Sequence, residues 1–106
     1  MPHVSDDGTR LTLDLHGATL EDGETLLING IAEAYRRGRT QVKVIHGTST
    51  SSQSYRNATL KHVLYDLLDA GDLPEVTNAV RFEGHTLLSI ARGGTPDAQR
   101  ITMDGL

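Results

Sequence analysis

The sequence contains no cysteine, which excludes disulfides, thiolate metal sites and a cysteine nucleophile. Its apolar runs are only a few residues long, far short of the about 20 residues that a transmembrane helix requires. Residues 1–7 have neither a basic flank nor an apolar stretch, so we expect no signal peptide and a cytoplasmic location. What remains is a chain of 106 residues, the size of one domain whose core needs no covalent cross-links.

An excess of positive charge is also missing. Ten Lys and Arg residues face 14 Asp and Glu residues, for a net charge of −4, which excludes broad electrostatic coating of DNA or RNA. The segment 47–61 is an exception, because it contains no acidic residue and includes Arg56 and Lys61. The charge distribution therefore predicts that any contact with nucleic acid is confined to one part of the surface.

The first third of the chain predicts a strand followed by a long helix. Residues 1–9 are polar and are expected to be a flexible lead-in. Residues 10–16 alternate, with leucine at every second position, which is typical of a strand with one buried face. Thr19 then has the position of a helix N-cap with Asp22 three residues later. The helical apolar spacing continues to Gly38, which suits a left-handed helix stop.

A second strand and a second helix follow. Residues 41–46 are short and rich in β-branched side chains, as in a buried strand. The second helix has leucines along one face and is expected to stop at Gly71. Either Ser54 or Asn57 could cap its N-terminus, and the pattern does not choose between them.

The last third predicts a β-hairpin. The third strand carries apolar side chains along one side, at Val76, Val80 and Phe82. A tight turn at Glu83–Gly84 leads into a fourth strand over residues 86–91. Residues 93–106 are expected to be a C-terminal tail or an edge segment.

The order β-α-β-α-β-β predicts an α/β fold over residues 10–92. The first two connections are crossovers, so the first two strands should be parallel, with both helices on the same face of the sheet. The result is a two-layer sandwich with a mixed four-stranded sheet.

The two parallel strands end alike, in Asp14-Leu15-His16-Gly17 and in His46-Gly47. Sites in open α/β sheets gather beyond the carboxyl ends of parallel strands, so we expect these residues at one edge. One imidazole could accept a proton from an attacking water while the other protonates a leaving alkoxide. Asp14 could orient an imidazole or hold a metal-bound water. These parts fit the cleavage of a phosphodiester.

The loop after Gly47 is rich in hydroxyl side chains. Because it leads into a helix N-terminus, it could cradle a phosphate, although taken alone its composition is more typical of a mobile linker. The predicted phosphate or nucleic-acid contacts are Gly17, Gly47, Thr48, Ser49, Thr50, Arg56 and Lys61.

Two boxes, Leu-Asp-Leu-His-Gly at residues 13–17 and Val-Ile-His-Gly at residues 44–47, resemble the Smr (small MutS-related) domain. The resemblance covers about residues 10–92 and includes Leu60-Lys61 and Gly84-His85-Thr86. It implies a fold like the C-terminal domain of translation initiation factor 3. The family occurs at the C-terminus of MutS2-type proteins, in plant and animal multidomain proteins and as stand-alone bacterial proteins.

The resemblance implies a nicking or structure-directed endonuclease that acts in DNA repair and recombination or in RNA processing. Asp14 and His16 carry over from the first box, and His46 and Gly47 from the second. The implied partner is DNA or RNA bound at one rim of the sheet, with no membrane. Mg²⁺ or Mn²⁺ would be the candidate cofactors, and no metal ligand is assigned.

Departures from the family pattern support an alternative function. Ser49 stands where the second box usually has another glycine, and Lys61 stands where arginine is common, which replaces bidentate phosphate recognition with a point charge. The alternative is therefore a non-catalytic module that binds nucleic acid or a protein partner. The sequence leaves open the choice between DNA and RNA and the oligomeric state.

Overall fold

A computed structural model describes residues 2–47 and 59–106 of the chain. In these residues the elements are β1 (His3–Asp6), β2 (Arg10–Asp14), α1 (Leu20–Arg36), β3 (Gln41–Ile45), α2 (Leu60–Asp69), β4 (Val76–Arg81), β5 (His85–Ile90) and a short 3-10 helix (Met103–Gly105). The strands form one sheet in the order β1-β2-β3-β5-β4. The β2–β3 pair is parallel, and the other neighbouring strands are antiparallel.

The predicted α/β class and mixed sheet are confirmed, but the predicted number of strands is wrong. The sheet has five strands because His3–Asp6, expected within a flexible lead-in, pairs with β2 as an edge strand. Val4 packs against the hydrophobic core, and Asp6 enters a buried ion pair. The side chains of Val4 and Asp6 thus anchor a strand that is too short to show a clear apolar alternation in the sequence.

The core lies between the sheet and the two helices. The alternating leucines of residues 10–16, which are Leu11, Leu13 and Leu15, are at most 1% exposed. They pack in one cluster with Leu27 and Ile31 of α1. The other buried members of that cluster are Ala34, Val42, Val44, Leu64, Leu73, Leu88, Ile90 and Ile101. Because side chains alternate along a strand, the odd-numbered residues of β2 and the even-numbered residues of β3 face the helices.

Each of the two α-helices has a threonine as its N-cap. The Thr19 hydroxyl accepts the N–H of Asp22 at 3.1 Å, which confirms the predicted N-cap of α1. The cap of α2 is Thr59, whose hydroxyl accepts the N–H of His62 at 3.3 Å. The two predicted cap residues, Ser54 and Asn57, lie outside the described residues. Neither described helix is long and apolar enough to cross a membrane.

The predicted apolar side of β4 is wrong because the strand contains a β-bulge. Val76 pairs with Ile90, but the next pair joins Asn78 to Ser89, so one extra residue shifts the alternation. Ala79 then packs on the core. Val80 and Phe82, which were expected on the same side as Val76, are 43% and 46% exposed on the opposite face of the sheet.

A buried ion pair joins both terminal segments to the start of β3. The Arg39 guanidinium donates to the Asp6 carboxylate through two bonds of 2.8 Å, and these side chains are 2% and 0% exposed. Arg39 also donates to the carbonyl oxygens of Asp97 and Gln99. The N–H of Ile101 donates to Asp6 at 2.7 Å. Residues 93–106, predicted to be a tail or an edge segment, therefore pack back onto the domain without adding a strand.

The environment of Asp6 stabilises its ionised form. Burial alone raises the pKa of this carboxyl, but the hydrogen bonds from Arg39 and from the backbone N–H groups of Ile101 and Gly8 outweigh it. The net effect lowers the pKa from its ordinary 3.8 to about 2. The carboxylate is thus kept charged in the folded state at pH values where the unfolded chain takes up a proton.

We predict an acid-dependent loss of stability that originates at Asp6. Between pH 3.8 and pH 2 the unfolded state binds a proton that the folded state does not, so the free energy of unfolding falls by about 2 kcal/mol. Asp6→Asn removes this pH dependence. It also lowers stability at pH 7 by about 3–5 kcal/mol, because the buried guanidinium loses its counter-charge.

Urea unfolding at pH 7, 4 and 2 measures both effects. Asp104→Asn, at an exposed position of the 3-10 helix, is the matched control and should follow the wild-type profile. Identical pH profiles for wild type and Asp6→Asn would contradict the assignment.

Candidate functional site

The carboxyl ends of β2 and β3 lie side by side, as expected. Asp14 is paired with Ile45, and the N–H of Leu15 donates to the carbonyl of Ile45 at 2.9 Å. The hairpin turn between β4 and β5 closes the same edge, since the Gly84 carbonyl accepts the N–H groups of residues 46 and 47 at 3.3 and 3.0 Å. We call this edge, formed by residues 14–17, 45–47 and 82–85, the rim.

Both boxes end in a glycine with left-handed backbone. Gly17 has φ +83° and Gly47 has φ +81°, a region that L side chains rarely adopt. Among the described residues, no atom lies within 4 Å of a Cβ added at Gly47. Glycine is therefore favoured there by the direction in which the chain turns and not by crowding from those residues.

Asp14 organises the backbone of the first box. Its side chain projects from the face of the sheet opposite the helices, because Leu13 and Leu15 occupy the helix side. The carboxylate accepts the N–H of His16 at 3.0 Å, which closes the turn after β2. The ring of His16 is exposed and accessible to a ligand at the rim.

His46 lies on the helix side of the rim, with both ring nitrogens engaged. Nδ1 is 2.7 Å from the carbonyl oxygen of Gly47, and Nε2 is 2.9 Å from the hydroxyl of Thr86. A carbonyl oxygen can only accept, so Nδ1 carries a hydrogen. Thr86 is fully buried. In the neutral ring Nε2 then has no hydrogen and accepts from the hydroxyl, so the contacts assign one tautomer to the neutral form of His46.

The surroundings of His46 also favour its neutral form. Partial burial lowers the pKa of this imidazole below its ordinary 6.5. The hydrogen bond to the Gly47 carbonyl opposes this effect, and the nearby charges of Lys61 and His85 add to it. At pH 7 the ring is consequently uncharged.

Aromatic and basic side chains surround His46 on the helix side. Tyr65 meets the imidazole edge-on, with 6.1 Å between ring centroids. The Arg81 guanidinium lies 4.2 Å from the Tyr65 ring centre, a cation–π arrangement, and pairs with Asp69 at 3.0 Å. Lys61 donates to the carbonyl of Glu83 at 3.4 Å. The structure thus brings Lys61 to the rim, where its ammonium is within reach of a bound anion.

The first turns of both helices are also close to one another. Gly23 in α1 is buried, and a Cβ at this position would collide with the Leu60 side chain at the start of α2. Since α1 starts three residues after Gly17 and α2 starts beside Lys61, both helix N-termini lie near the rim. The positive end of the helix dipole at such an N-terminus favours an anion.

Other predicted groupings are not formed in the part of the chain that the structure describes. Within residues 2–47 and 59–106, no hydrogen bond or ion pair joins Asp14 or His16 to His46. Asp14 and His46 project from opposite faces of the sheet. Nor do these residues contain a group of three or more His, Asp and Glu side chains placed to hold a metal ion. The predicted contacts outside the described residues are Thr48, Ser49, Thr50 and Arg56.

Sequence reasoning missed three side chains of this site, Thr86, Tyr65 and Arg81. Thr86 offered a signal, because it is a hydroxyl residue at a core-facing position of an apolar strand and buried polar groups need partners. Tyr65 and Arg81 offered none, since their contacts depend on how α2 crosses the hairpin.

We predict that Lys61→Met raises the pKa of His46, because the substitution removes a positive charge that disfavours the imidazolium. NMR titration of the His46 ring nitrogens measures the pKa and the tautomer together. Lys43→Met is the matched control, because Lys43 projects from the opposite face of the sheet. Equal pKa changes in the two variants would contradict the assignment.

Comparison with known proteins gives one match. A family model described as Smr domain matches residues 13–85, a range that includes both glycine-ended boxes. No curated protein and no solved structure matches the chain, so its likeness to the C-terminal domain of translation initiation factor 3 stays a prediction.

Proposed function

This chain belongs to the Smr domain family, whose domains are of a nucleic-acid-binding and nuclease type, and we propose that it is an endonuclease acting at the rim. The observation that carries the proposal is the parallel register of β2 and β3, which sets Asp14 beside Ile45. Because of this register, the two histidine-glycine boxes meet near two helix N-termini. A phosphodiester bound there would lie near His16, His46 and the Lys61 ammonium.

Phosphate binding is assigned to the chain turns and to the basic side chains beside them. Lys61 supports this assignment because it reaches the rim from the first turn of α2, and the segment 47–61 carries no acidic residue. Ammonium groups and helix N-termini both favour phosphate oxygens. The proposed contacts are Gly17, Gly47, Thr48, Ser49, Thr50, Arg56 and Lys61.

The proposed reaction is a displacement at phosphorus. A water oxygen forms a bond to phosphorus while one of its protons passes to an imidazole nitrogen. The bond between phosphorus and the leaving sugar oxygen breaks, and that oxygen takes a proton from the second imidazole. We assign these transfers to His16 and His46, and we assign to Asp14 the fixing of the turn that carries His16.

His46 needs a change of hydrogen bonding to take part in proton transfer. Its Nε2 accepts a hydrogen bond from the buried Thr86 hydroxyl, and its Nδ1–H donates to the carbonyl oxygen of Gly47. Transfer through Nε2 therefore requires the Thr86 hydroxyl to turn away. His46→Gln separates the two functions of the ring, since an amide can donate and accept hydrogen bonds but cannot carry a proton at neutral pH.

A second candidate function, a non-catalytic binding module, is favoured by one observation. In the described part of the chain, His46 is engaged with Thr86 and Gly47 and forms no hydrogen bond with Asp14 or His16. A module of this kind would bind nucleic acid at the rim without turnover.

We predict that the purified protein cleaves supercoiled plasmid DNA or structured RNA. Assays with and without added Mg²⁺ or Mn²⁺ test the candidate metals. His16→Ala and His46→Gln should each lower the cleavage rate by about 100-fold or more, since general acid–base catalysis contributes about 10²- to 10⁴-fold. Asp14→Ala should lower it, because the substitution removes the oxygen that accepts the His16 N–H, whereas Asp104→Ala should leave it unchanged.

Several outcomes separate the two functions. Cleavage that persists in Asp14→Ala and His16→Ala would indicate a contaminant and overturn the assignment. Binding that is weakened by Lys61→Met, without cleavage by the wild type, would support the binding module instead.

A further inference from the structure

The only phenylalanine of the chain is not part of the core. Phe82 is 46% exposed, on the side of the sheet opposite the helices. We call this side the open face; its residues alternate with those that pack on the core. Burying a side chain of this size would contribute to stability, so its position on a solvent-facing strand end needs another explanation.

Phe82 and His85 form an aromatic stack next to the rim. Their ring centroids are 4.6 Å apart with an interplanar angle of 19°. His85 pairs with Ile45, which in turn pairs with Asp14, so the stack shares the open face with the Asp14 carboxylate. Apolar side chains extend this surface at Ile45, Val80 and Leu87.

The open face carries two cationic side chains, Lys43 and Arg10, although the whole chain has a net charge of −4. Lys43 is in the middle strand, with Thr12 and Leu87 as its neighbours across the sheet. Arg10 donates to the amide oxygen of Gln41 at 2.9 Å. Among the described residues, neither Lys43 nor Arg10 forms an ion pair. Asp14, at the rim, is the one carboxylate that the described strands direct to this face.

We propose that the open face binds single-stranded nucleic acid, with an unpaired base stacked on Phe82 and the phosphate backbone passing Lys43. Aromatic rings on a sheet combined with cations suit single strands, because every base has a π-face and every nucleotide a negative charge. Bases in a duplex are already stacked on one another and offer no face to Phe82. The inference rests on the proposed function and narrows its substrate to a strand with unpaired bases beside the rim.

Charge complementarity favours this ligand over a second copy of the chain. In a symmetric dimer the same patch meets itself, so Lys43 and Arg10 would face a surface of their own sign. A polyanion has the opposite charge, and its unpaired bases supply the apolar rings that the stack can contact.

Phe82→Trp gives a direct test, because the chain has no tryptophan and this indole would be the sole fluorophore of its type. We expect its emission to be quenched by a 12-nucleotide oligo(dT) or oligo(U) and to be unchanged by a duplex of equal length. Quenching by the duplex to the same extent, or no quenching by either single strand, would overturn the inference.

Affinity measurements with fluorescently labelled oligonucleotides test the stack independently. Phe82→Ala should weaken single-strand binding about 5- to 150-fold, which corresponds to the loss of one stacked base. Phe82→Leu should weaken it as well if the π-face is what matters. Ile28→Ala, at a residue of α1 with 43% exposure, is the control and should bind as the wild type does. Lys43→Met should reduce the slope of log affinity against log salt by about 0.7.

The outcomes distinguish this inference from the proposed function. Wild-type affinity in Phe82→Ala, with cleavage still lost in His16→Ala, would overturn the open-face inference and leave the rim assignment standing. Loss of single-strand binding in Phe82→Ala with no cleavage by the wild type would support the open face and count against the endonuclease. A concentration-dependent dimer that Phe82→Ala dissociates would assign the face to a second copy and overturn the inference.

Discussion

The parallel pairing of β2 with β3 is the constraint on which the rest of the site depends. Its register sets Asp14 beside Ile45, and the chain turns at both strand ends follow from it. A slip of one residue would exchange the faces of β2, burying the carboxylate of Asp14 and exposing Leu13. The apolar alternation that builds the core therefore also determines which polar side chains reach the rim.

The rim has two chemically different sides. On the helix side, a neutral imidazole is held by a buried hydroxyl and an aromatic ring, at His46, Thr86 and Tyr65. On the open face, Asp14 shares the surface with the stacked rings of Phe82 and His85. A nucleic acid that reaches the rim from the open face would meet stacking and cationic groups before it meets His46. Binding of the nucleic acid can thus depend on the open face, while proton transfer by His46 depends on the helix side of the same sheet edge.

The parts of the fold predictable from sequence were those with strong local patterns. The leucine alternation of β2 and the Thr19 cap of α1 identify their elements without knowledge of any partner. The edge strand His3–Asp6 was missed because four residues carry too little periodicity, and its anchor is the distant Arg39. Likewise, the bulge after Val76 reversed the expected side of Phe82, since an inserted residue is defined only by the strand it pairs with.

In the candidate site, too, local patterns predicted only what does not depend on a distant partner. Two glycine-ended boxes on predicted parallel strands were enough to expect a shared edge. They could not reveal that Asp14 and His46 project from opposite faces of the sheet, or that Thr86, 40 residues further along the chain, forms a hydrogen bond with the imidazole.

The Asp6–Arg39 pair has a further consequence for dynamics. Asp6 of β1 accepts the N–H of Ile101, 95 residues further along the sequence, and Arg39 donates to the carbonyl of Gln99. Detaching either segment would leave the guanidinium with fewer partners, so both should open as one cooperative unit. The ion pair itself lies at the end of the sheet away from the rim, but His3 at the other end of β1 pairs with Asp14. Opening of this unit would therefore also release the sheet edge beside Asp14.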